Sequence, residues 1–331
     1  MAIAGAQSKE SPRPELPSES ERWSVSFCAT NLNTRERLPS SIASVEAIGR
    51  ALGRSFEIVV ADGPSSDGAS EWLDAFARDH PVVRVVHHGE RNRGYGRRRA
   101  FEASRGDIVV PFDTSLVYDA RYAGLLRAWI DADVESMLFS EICALRRATI
   151  EAVGGWRDLI GGEDVDLYAR VMRRFGTIAW PTPWRTSQSA TLSSAHRQYR
   201  YVGGSRLARS WRMYTVLRDQ VVGANHRWSD LVAFNAAKPW TTKLWLWPAF
   251  AIATVGARWH PLRTPRSEGN RYRFVRESIF ESILSGGYRR LAWDGPSPCL
   301  RLTEDEFRYL ERRSAYYRAH RAELAPFVAV K

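Results

Sequence analysis

Cysteine is scarce in this sequence. The 331 residues contain three cysteines, Cys28, Cys143 and Cys299, which lie far apart and lack the paired spacing of a metal site. A disulfide framework is therefore not expected, and the composition fits a reducing compartment. We accordingly expect a cytoplasmic protein. Its contents of 44% hydrophobic and 26% charged residues are in the range of globular chains.

Long apolar segments are also missing. The N-terminal residues contain no apolar core of signal-peptide length and are rich in Ser, Pro and Glu, which predicts a disordered leader over residues 1–21. The most apolar stretch, Leu244–Ala257, is too short for a spanning helix of about 20 residues, and Pro248 interrupts it. Its tryptophans and the arginines that follow suit a membrane interface, whereas the alternative is a helix buried against the rest of the protein.

The common phosphate-binding motifs are absent from the sequence, as are repeats of fixed period. There is no Walker-type loop, and Asn92–Gly96 has only two of the three glycines of a dinucleotide fingerprint and follows the third predicted strand. Positive charge, by contrast, is abundant, because 48 Lys and Arg against 37 Asp and Glu give a net charge of +11. Such a balance favours acidic partners, whether nucleotide diphosphates, nucleic acid or anionic lipid.

Short apolar runs alternate with helical segments in the first half of the chain. The pattern predicts strands at 25–30, 56–61, 82–87 and 106–115, with helices at 38–52, 69–78 and near 120–130. The basic segment 90–99 is expected to run into a further helix that ends at about residue 104. Further strands are predicted at 136–145, 177–180 and 186–192, and the chain beyond residue 196 is helical and basic. This alternation predicts an α/β fold with a mostly parallel central sheet and helices on both faces.

The stretch Gly106–Ser115, GDIVVPFDTS, combines a buried strand with a polar end. Ligands of open α/β sheets bind beyond the carboxyl ends of the strands, which is where Asp113, Thr114 and Ser115 fall. A carboxylate there can hold a divalent cation together with substrate phosphates. The alternative is an aspartate that only stabilises the turn.

The order of these features resembles the family 2 glycosyltransferases of GT-A fold, over roughly residues 24–196. The motifs that carry the resemblance are the first strand with Asn31, EIVVADGPSSDG, Asn92-x-Gly94, RGDIVVPFD, LRRATIEAVGGW and GGEDVDL. The resemblance implies a GT-A domain over residues 22–200 and a helical region over 201–331 that is associated with the acceptor or the membrane interface.

The resemblance also implies a nucleotide-sugar donor, UDP- or GDP-linked, and a divalent cation, Mn²⁺ or Mg²⁺. It assigns donor binding to Thr30, Asn31, Asp62, Gly94, Arg98 and Asp113, and metal binding to Asp113, Ser115 and His196. Acceptor-side positions are Gly155, Trp156 and Glu163, and the catalytic base is Asp164. Sugar transfer needs a neutralised diphosphate and a base for the acceptor hydroxyl. Asp164 and Asp166 point about 200° apart on a helix, so only one of them is expected to face the sugar.

Two departures from the family pattern affect these expectations. Ser115 stands where a second carboxylate is usual, so Asp119, His196 or water could complete the metal shell. No Gln-x-x-Arg-Trp sequence follows the Glu-Asp pair, which favours transfer of a single sugar over polymer synthesis. Inversion at the sugar and a lipid-linked or polyprenyl-phosphate acceptor are implied by the family, as is a peripheral position on the cytoplasmic face of the membrane.

The loop ERNRGYGRRR carries five arginines, at positions 91, 93, 97, 98 and 99. Consecutive residues of a helix point in different directions, so one or two of these arginines are expected to meet the diphosphate or an anionic acceptor. The others are expected to be exposed to solvent.

The sequence leaves three alternative functions to consider. A nucleotidyltransferase of related fold would carry a glycine-rich loop after the first strand, but the loop here, NLNTRER, has no glycine. A non-catalytic protein that binds nucleic acid or lipid would leave Asp62, Asp113 and Asp164 unexplained, and we expect no nucleic acid partner. A degenerate transferase without activity is the third, because Ser115 departs from the pattern.

Overall fold

The structure is a computed structural model that describes residues 24–180, 205–234, 240–263, 265–291, 311–312 and 315–324. The predicted leader over residues 1–21, the strand predicted at 186–192 and His196 lie outside the described residues.

A five-stranded sheet in the order β3-β2-β1-β4-β6 lies at the centre of the fold. The parallel strands are β1 (Val25–Asn31), β2 (Phe56–Asp62), β3 (Val83–His87) and β4 (Ile108–Asp113), and the short β6 (Leu145–Arg146) runs antiparallel to β4. All seven residues of β2 are buried, as expected of a strand that is covered on both faces. The predicted mostly parallel sheet is confirmed.

The strand register brings polar residues together at one edge of the sheet. Asn31 lies opposite Asp62 in the β1–β2 pair, and Thr30 lies opposite Asp113 in the β1–β4 pair. Parallel strands end at the same edge, so the polar ends of β1, β2 and β4 form one continuous site wall.

Six helices surround this sheet. They are α1 (Leu38–Leu52), α2 (Ala69–Asp79), α3 (Arg93–Ala103), α4 (Tyr122–Asp131), α5 (Arg147–Ala152) and α6 (Glu163–Phe175). One core cluster packs α1 and α4 on the sheet and includes Ile42 and Trp129, while a second includes Phe101 of α3 and Leu167 of α6. Helix α1 ends at Gly53, whose φ of 70° is the left-handed conformation that glycine adopts without strain.

The single strand predicted over residues 136–145 is wrong. The structure forms β5 (Met137–Phe139), which pairs in parallel with β7 (Thr177–Ala179), and the chain then turns before β6. The Ser140 hydroxyl accepts from the Ile142 N–H at 3.1 Å, a local bond that stabilises the turn. The run of apolar residues hid this turn, because only Ser140 and Glu141 interrupt it.

The C-terminal part of the described chain is helical, as predicted. It contains α7 (Arg206–Ala224), α8 (Trp228–Phe234), α9 (Trp240–Ala257), α10 (Arg271–Leu284), α11 (Ala315–Ala319) and α12 (Arg321–Leu324), with 3₁₀ turns at Arg266–Glu268 and Gly287–Arg290. Ile279 and Phe280 of α10 are buried in the same core cluster as Leu167 of α6. No described helix has the length and apolar character that crossing a membrane requires.

Candidate active site

Asp62 lies beneath the polar edge of the sheet and holds Asn31. Its side chain is 1% exposed, accepts from Asn31 Nδ2 at 2.6 Å through Oδ1, and accepts from the Ser70 hydroxyl at 2.6 Å through Oδ2. A carboxylate that accepts several hydrogen bonds fixes the groups that donate them. The structure thus makes Asp62 the support of Asn31, and its predicted contact with the donor stays a prediction.

A small pocket opens beside Asn31. Its lining includes Thr30, Asn31, His88, Arg91, Asn92 and Arg93. Neither ring nitrogen of His88 has a hydrogen-bond partner among the described residues, and burial lowers the pKa of this histidine, so its neutral form is favoured. His88 is not recognisable from the sequence, because a lone histidine after a strand carries no spacing signal.

Gly94 allows helix α3 to begin against the segment that leads to the Glu-Asp pair. A Cβ at this position would lie 2.2 Å from the Arg157 carbonyl oxygen and 2.6 Å from the Leu159 nitrogen. The Gly94 N–H also donates to the Leu159 carbonyl at 2.9 Å. Asn92 caps the helix by accepting from the Tyr95 N–H at 3.1 Å. The predicted Asn-x-Gly motif therefore joins the donor side of the site to the catalytic side.

Asp113 forms a turn with Ser115 at the end of β4. Its Oδ1 accepts from the Ser115 N–H at 3.0 Å and from the Ser115 hydroxyl at 2.8 Å. The Asp113 N–H donates to the Tyr118 hydroxyl at 2.8 Å. The turn-stabilising role is therefore present, and it places a carboxylate and a hydroxyl side by side at the end of the strand.

The described residues offer a small set of metal ligands at this turn. Asp113 supplies a carboxylate and Ser115 a hydroxyl, whereas Asp119 is bound by Arg121 at 2.5 Å, which keeps the pKa of that carboxyl low. No group of three or more His, Cys, Asp or Glu suited to a metal ion occurs within the described ranges. Such a set fits a hard cation that takes one carboxylate from the protein and its other ligands from phosphate and water.

Arg97 connects the strand end to the catalytic side of the site. It is 7% exposed, its Nη1 donates to the Phe112 carbonyl at 2.7 Å, and its Nε lies 3.7 Å from Oδ1 of Asp164. Asp113 follows Phe112 directly, so one guanidinium lies near both candidate carboxylates. One or two functional arginines were predicted in this loop, but Arg97 was not among the residues assigned to the site.

Arg98, the arginine that was predicted to bind the donor, points elsewhere. Its Nε and Nη2 donate to the two oxygens of Asp158 at 2.8 and 2.9 Å, and its Nη1 donates to Glu102 at 2.8 Å. Helix geometry explains the difference, because Arg93 and Arg97 are four residues apart and share the inward face of α3. That spacing was visible in the sequence. Donor binding by Arg98 stays a prediction that this geometry does not favour.

The Glu-Asp pair begins helix α6 and its two carboxylates have different surroundings. Asp164 is 27% exposed at its side chain and accepts from the indole Nε1 of Trp156 at 3.1 Å. Glu163 is 2% exposed at its side chain and lies 2.7 Å from Arg93. Burial, with a further contribution from Asp164, raises the pKa of Glu163 to about 7. Asp164 is thus the member of the pair that solvent or an acceptor can reach.

Asp166, in contrast to Asp164, is buried. It is 1% exposed and is surrounded by three arginines, Arg157 at 3.3 Å, Arg170 at 2.6 Å and Arg271 of helix α10. The expected divergence of Asp164 and Asp166 on the helix is seen in these contacts. Asp166 anchors α6, whereas Asp164 remains accessible to solvent.

The predicted acceptor-side residues are largely enclosed. Trp156 is 2% exposed and its ring packs on Phe101 at 5.8 Å between centroids, so its indole orients Asp164. The Gly155 carbonyl accepts from Arg170 Nη2 at 2.8 Å, and Gly155 adopts a φ of 67°. Acceptor contacts by Gly155, Trp156 and Glu163 stay predictions, and the burial of Trp156 and Glu163 favours a supporting role.

Comparison with known proteins gives a family match for about a third of the chain, within its first half. The profile described as "Glycosyl transferase family 2" matches residues 26–140. Similar curated proteins include the undecaprenyl-phosphate 4-deoxy-4-formamido-L-arabinose transferase of Pseudomonas paraeruginosa, 43% identical over 98 residues, which are 28% of this chain and 28% of that protein. Another is the uncharacterized glycosyltransferase YfnE of Bacillus subtilis, 33% identical over 85 residues, 26% of this chain and 21% of that one. The chain thus matches only about a quarter of the length of these relatives.

Among solved structures, the mannosyltransferase PcManGT from Pyrobaculum calidifontis in complex with GDP-Man and Mn²⁺ is similar, with 16% identity and a TM-score of 0.43. The alignment covers 76% of this chain and 91% of that one.

The matched segment contains the four parallel strands and the predicted donor-side residues from Thr30 to Ser115. Trp156 and Asp164 lie beyond it, so their roles depend on the geometry of this protein. The profile match, with the sheet order β3-β2-β1-β4, confirms the predicted GT-A fold. Residues 26–140 belong to glycosyl transferase family 2.

Proposed function

We propose that this protein is a glycosyltransferase that moves a single sugar from a UDP- or GDP-linked donor to an acceptor hydroxyl or phosphate. The observation that carries the proposal is the position of Arg97. Its side chain donates a hydrogen bond to the carbonyl of Phe112, the residue before Asp113, and its Nε lies 3.7 Å from Oδ1 of Asp164. A buried guanidinium between the two carboxylates brings the diphosphate side and the base side of a transferase site together.

The nucleotide of the donor would lie over the polar edge of the sheet, since it is too large for the small pocket beside Asn31, whose open volume is about 10 Å³. The residues that line it provide amide, hydroxyl, imidazole and guanidinium groups from Thr30, Asn31, His88 and Arg91. The diphosphate would then lie towards Asp113 at the end of the adjacent strand, since Thr30 and Asp113 are paired across β1 and β4.

Asp113 and Ser115 would hold a divalent cation, with donor phosphates and water as its other ligands. When bound, a Mn²⁺ or Mg²⁺ ion neutralises the charge of the leaving diphosphate. Arg97 adds positive charge to the same region, so the protein does not depend on the cation alone for neutralisation.

Asp164 would accept the proton of an attacking hydroxyl. The indole of Trp156 donates a hydrogen bond to one oxygen of the Asp164 carboxylate, and the Asp164 side chain remains partly exposed to solvent. Attack from the face opposite the leaving diphosphate inverts the anomeric carbon in one displacement, as family membership implies. No covalent intermediate is needed, so the protein has to supply a base but no nucleophilic side chain.

We further propose a lipid-linked acceptor on the cytoplasmic face of a membrane. It would be either a polyprenyl-phosphate glycan, whose hydroxyl gives its proton to Asp164, or a polyprenyl phosphate, whose ionised oxygen attacks without a base. The similar protein of Pseudomonas paraeruginosa is named as an undecaprenyl-phosphate transferase, and it shares 98 aligned residues with this chain. The net charge of +11 favours an anionic acceptor of this kind.

Calorimetric titration with a panel of nucleoside diphosphates, with and without Mn²⁺, tests the donor assignment. We expect one nucleotide to bind, more tightly with the metal, and Asp113→Ala to remove that metal dependence. Asp119→Ala is the matched control, because its carboxylate is engaged with Arg121 and should not affect binding. Absence of binding to every nucleotide would contradict the proposal.

Asp164→Asn tests the base. This variant should bind the donor as the wild type does and lose transfer to a hydroxyl acceptor, because the amide cannot take up the proton. Turnover near the wild-type value would show that another group is the base.

A further inference from the structure

Helix α9 is apolar on all sides, but only one side of it is covered by the described protein. Its inner face packs on α7, with Phe250, Ala253 and Ala257 buried. Gly256 approaches Tyr214 so closely that a Cβ there would lie 2.0 Å from the tyrosine hydroxyl. Helices that are hydrophobic all round are normally buried on all sides, so the outer face of α9 needs a covering partner.

The outer face of α9 presents a continuous row of large apolar side chains to solvent. Leu244 is 64% exposed, Ile252 is 61% exposed and Trp259, just after the helix, is 76% exposed. Trp240, Trp247 and Val255 belong to the same row, which follows helical spacing along about 27 Å of an 18-residue helix. An exposed row of this length that is rich in tryptophan is typical of a surface that meets a membrane or a protein.

A cationic pocket adjoins this row. It has an open volume of about 410 Å³, and its lining includes Arg227, Arg258, Arg263, Trp228 and Thr254, with no acidic residue. The Thr254 hydroxyl is buried and makes no hydrogen bond with any described residue. Arginine forks and a hydroxyl are the groups that bind phosphate oxygens, so the pocket fits a phosphate group.

We propose that the outer face of α9 and the arginine pocket beside it bind the surface of an anionic phospholipid bilayer. The apolar row would lie in the interfacial region, with its tryptophans between headgroups and acyl chains, and a lipid phosphate would occupy the pocket. The charge of the pocket selects a lipid surface over a second copy of this chain, because the same cationic pocket on a partner copy would repel it.

Helix α7, on which α9 packs, also contacts the segment that leads to the candidate base Asp164. Asp219 of α7 accepts from the Ile160 N–H at 2.9 Å, and a Cβ at Gly223 of α7 would lie 2.6 Å from the Gly162 carbonyl oxygen. The segment from Ile160 to Gly162 leads directly into Glu163 and Asp164. A protein docked through α9 would thereby hold Asp164 at a fixed orientation to the lipid surface. This catalytic consequence rests on the proposed function, whereas the membrane binding itself does not.

Sedimentation of the full-length chain with vesicles tests the proposal without donor or acceptor. We expect binding to vesicles of equal parts phosphatidylcholine and phosphatidylglycerol, and much weaker binding to phosphatidylcholine alone. Arg258→Gln with Arg263→Gln should weaken binding to the anionic vesicles roughly thirtyfold, from about 1 kcal/mol per basic residue near the surface. Arg78→Gln with Arg105→Gln, which removes the same charge at exposed positions, is the control and should bind as the wild type does.

Leu244→Glu with Ile252→Glu tests the apolar row, because both positions are exposed and the change should leave the fold intact. We expect this variant to lose vesicle binding while its circular dichroism and its nucleotide binding remain those of the wild type. Equal binding by this variant, or by the Arg258/Arg263 variant, would overturn the proposal. A different result would also overturn it: the wild type does not bind vesicles but forms a dimer, and Leu244→Glu with Ile252→Glu dissociates that dimer. A second copy of the chain would then cover the row. Nucleotide binding in the same samples separates either result from a failure of the proposed function.

Discussion

The indole nitrogen of Trp156 donates a hydrogen bond to Oδ1 of Asp164 across 3.1 Å. The tryptophan is buried in the core while the aspartate is partly exposed, so a rigid group orients an accessible carboxylate. Asp164 therefore has one oxygen fixed by the protein and is positioned before any acceptor arrives.

Trp156→Phe should lower kcat while leaving the donor KM unchanged. Loss of a hydrogen bond to a charged group costs about 1.5–3 kcal/mol, which corresponds to roughly a tenfold to hundredfold loss of rate. Trp129→Phe is the matched control, because Trp129 is also fully buried and donates to the Ser136 carbonyl at 3.1 Å, outside the site. Equal losses of kcat in both variants would indicate a general packing effect in place of orientation.

Gly94→Ala should destabilise the protein and weaken donor binding. The added methyl would meet the backbone of Arg157 and Leu159, which cannot move without displacing the loop before α6, and overpacking of this kind costs about 1–3 kcal/mol or more. Gly89→Ala is the control, because a Cβ at Gly89 meets nothing within 4 Å. Chemical denaturation and nucleotide titration of the two variants measure the difference, and identical values would contradict the close approach at Gly94.

The raised pKa of Glu163 predicts a pH-dependent stability. Its pKa rises from 4.5 to about 7 on folding, so the folded state binds more protons than the unfolded state between these values. The free energy of unfolding should therefore fall as the pH rises from about 4.5 to about 7, by up to about 3 kcal/mol, and change little beyond. Glu163→Gln should flatten this dependence in denaturation curves, whereas Glu151→Gln, at an exposed position on α5, should leave it in place.

Asp166→Asn should destabilise the fold far more than Asp164→Asn. Asp166 is the shared partner of three arginines, and removing one member of a buried charge cluster costs about 3–5 kcal/mol. Asp164 is partly exposed, so its substitution should change the free energy of unfolding by less than about 1 kcal/mol. Urea denaturation of the two variants measures both, and similar values would contradict the division of roles between these aspartates.

The parallel strands could be predicted from the sequence because burial on both faces leaves a plain signal. IVVAD within β2 and IVVPFD in β4 are apolar runs that end in an acidic residue, and the structure places both strands there. The predicted strand at 136–145 was wrong, because a turn closed by the Ser140 hydroxyl leaves the apolar pattern almost unchanged.

The candidate site was predictable in its residue types but less so in its contacts. Asp113 was predicted from its place after a strand and Asp164 from the resemblance of its segment to the Glu-Asp pair of the family, and both roles stay predictions. Helical phase could have favoured Arg97 over Arg98, because positions 93 and 97 are four residues apart and both lie near the Glu-Asp pair. The engagement of Asp62 with Asn31 and Ser70 depends on the pairing of β1 with β2 and on the start of α2, which no local pattern reveals.

The contact between Asp166 and Arg271 joins residues separated by 105 positions in the chain. During synthesis, the parallel strands β1 to β4 emerge from the ribosome well before Arg271. A nascent chain that ends before Arg271 can form the sheet, but Asp166 then has only Arg157 and Arg170 of its three arginine partners. The charge cluster that anchors α6 is therefore complete only after the C-terminal helices have been made.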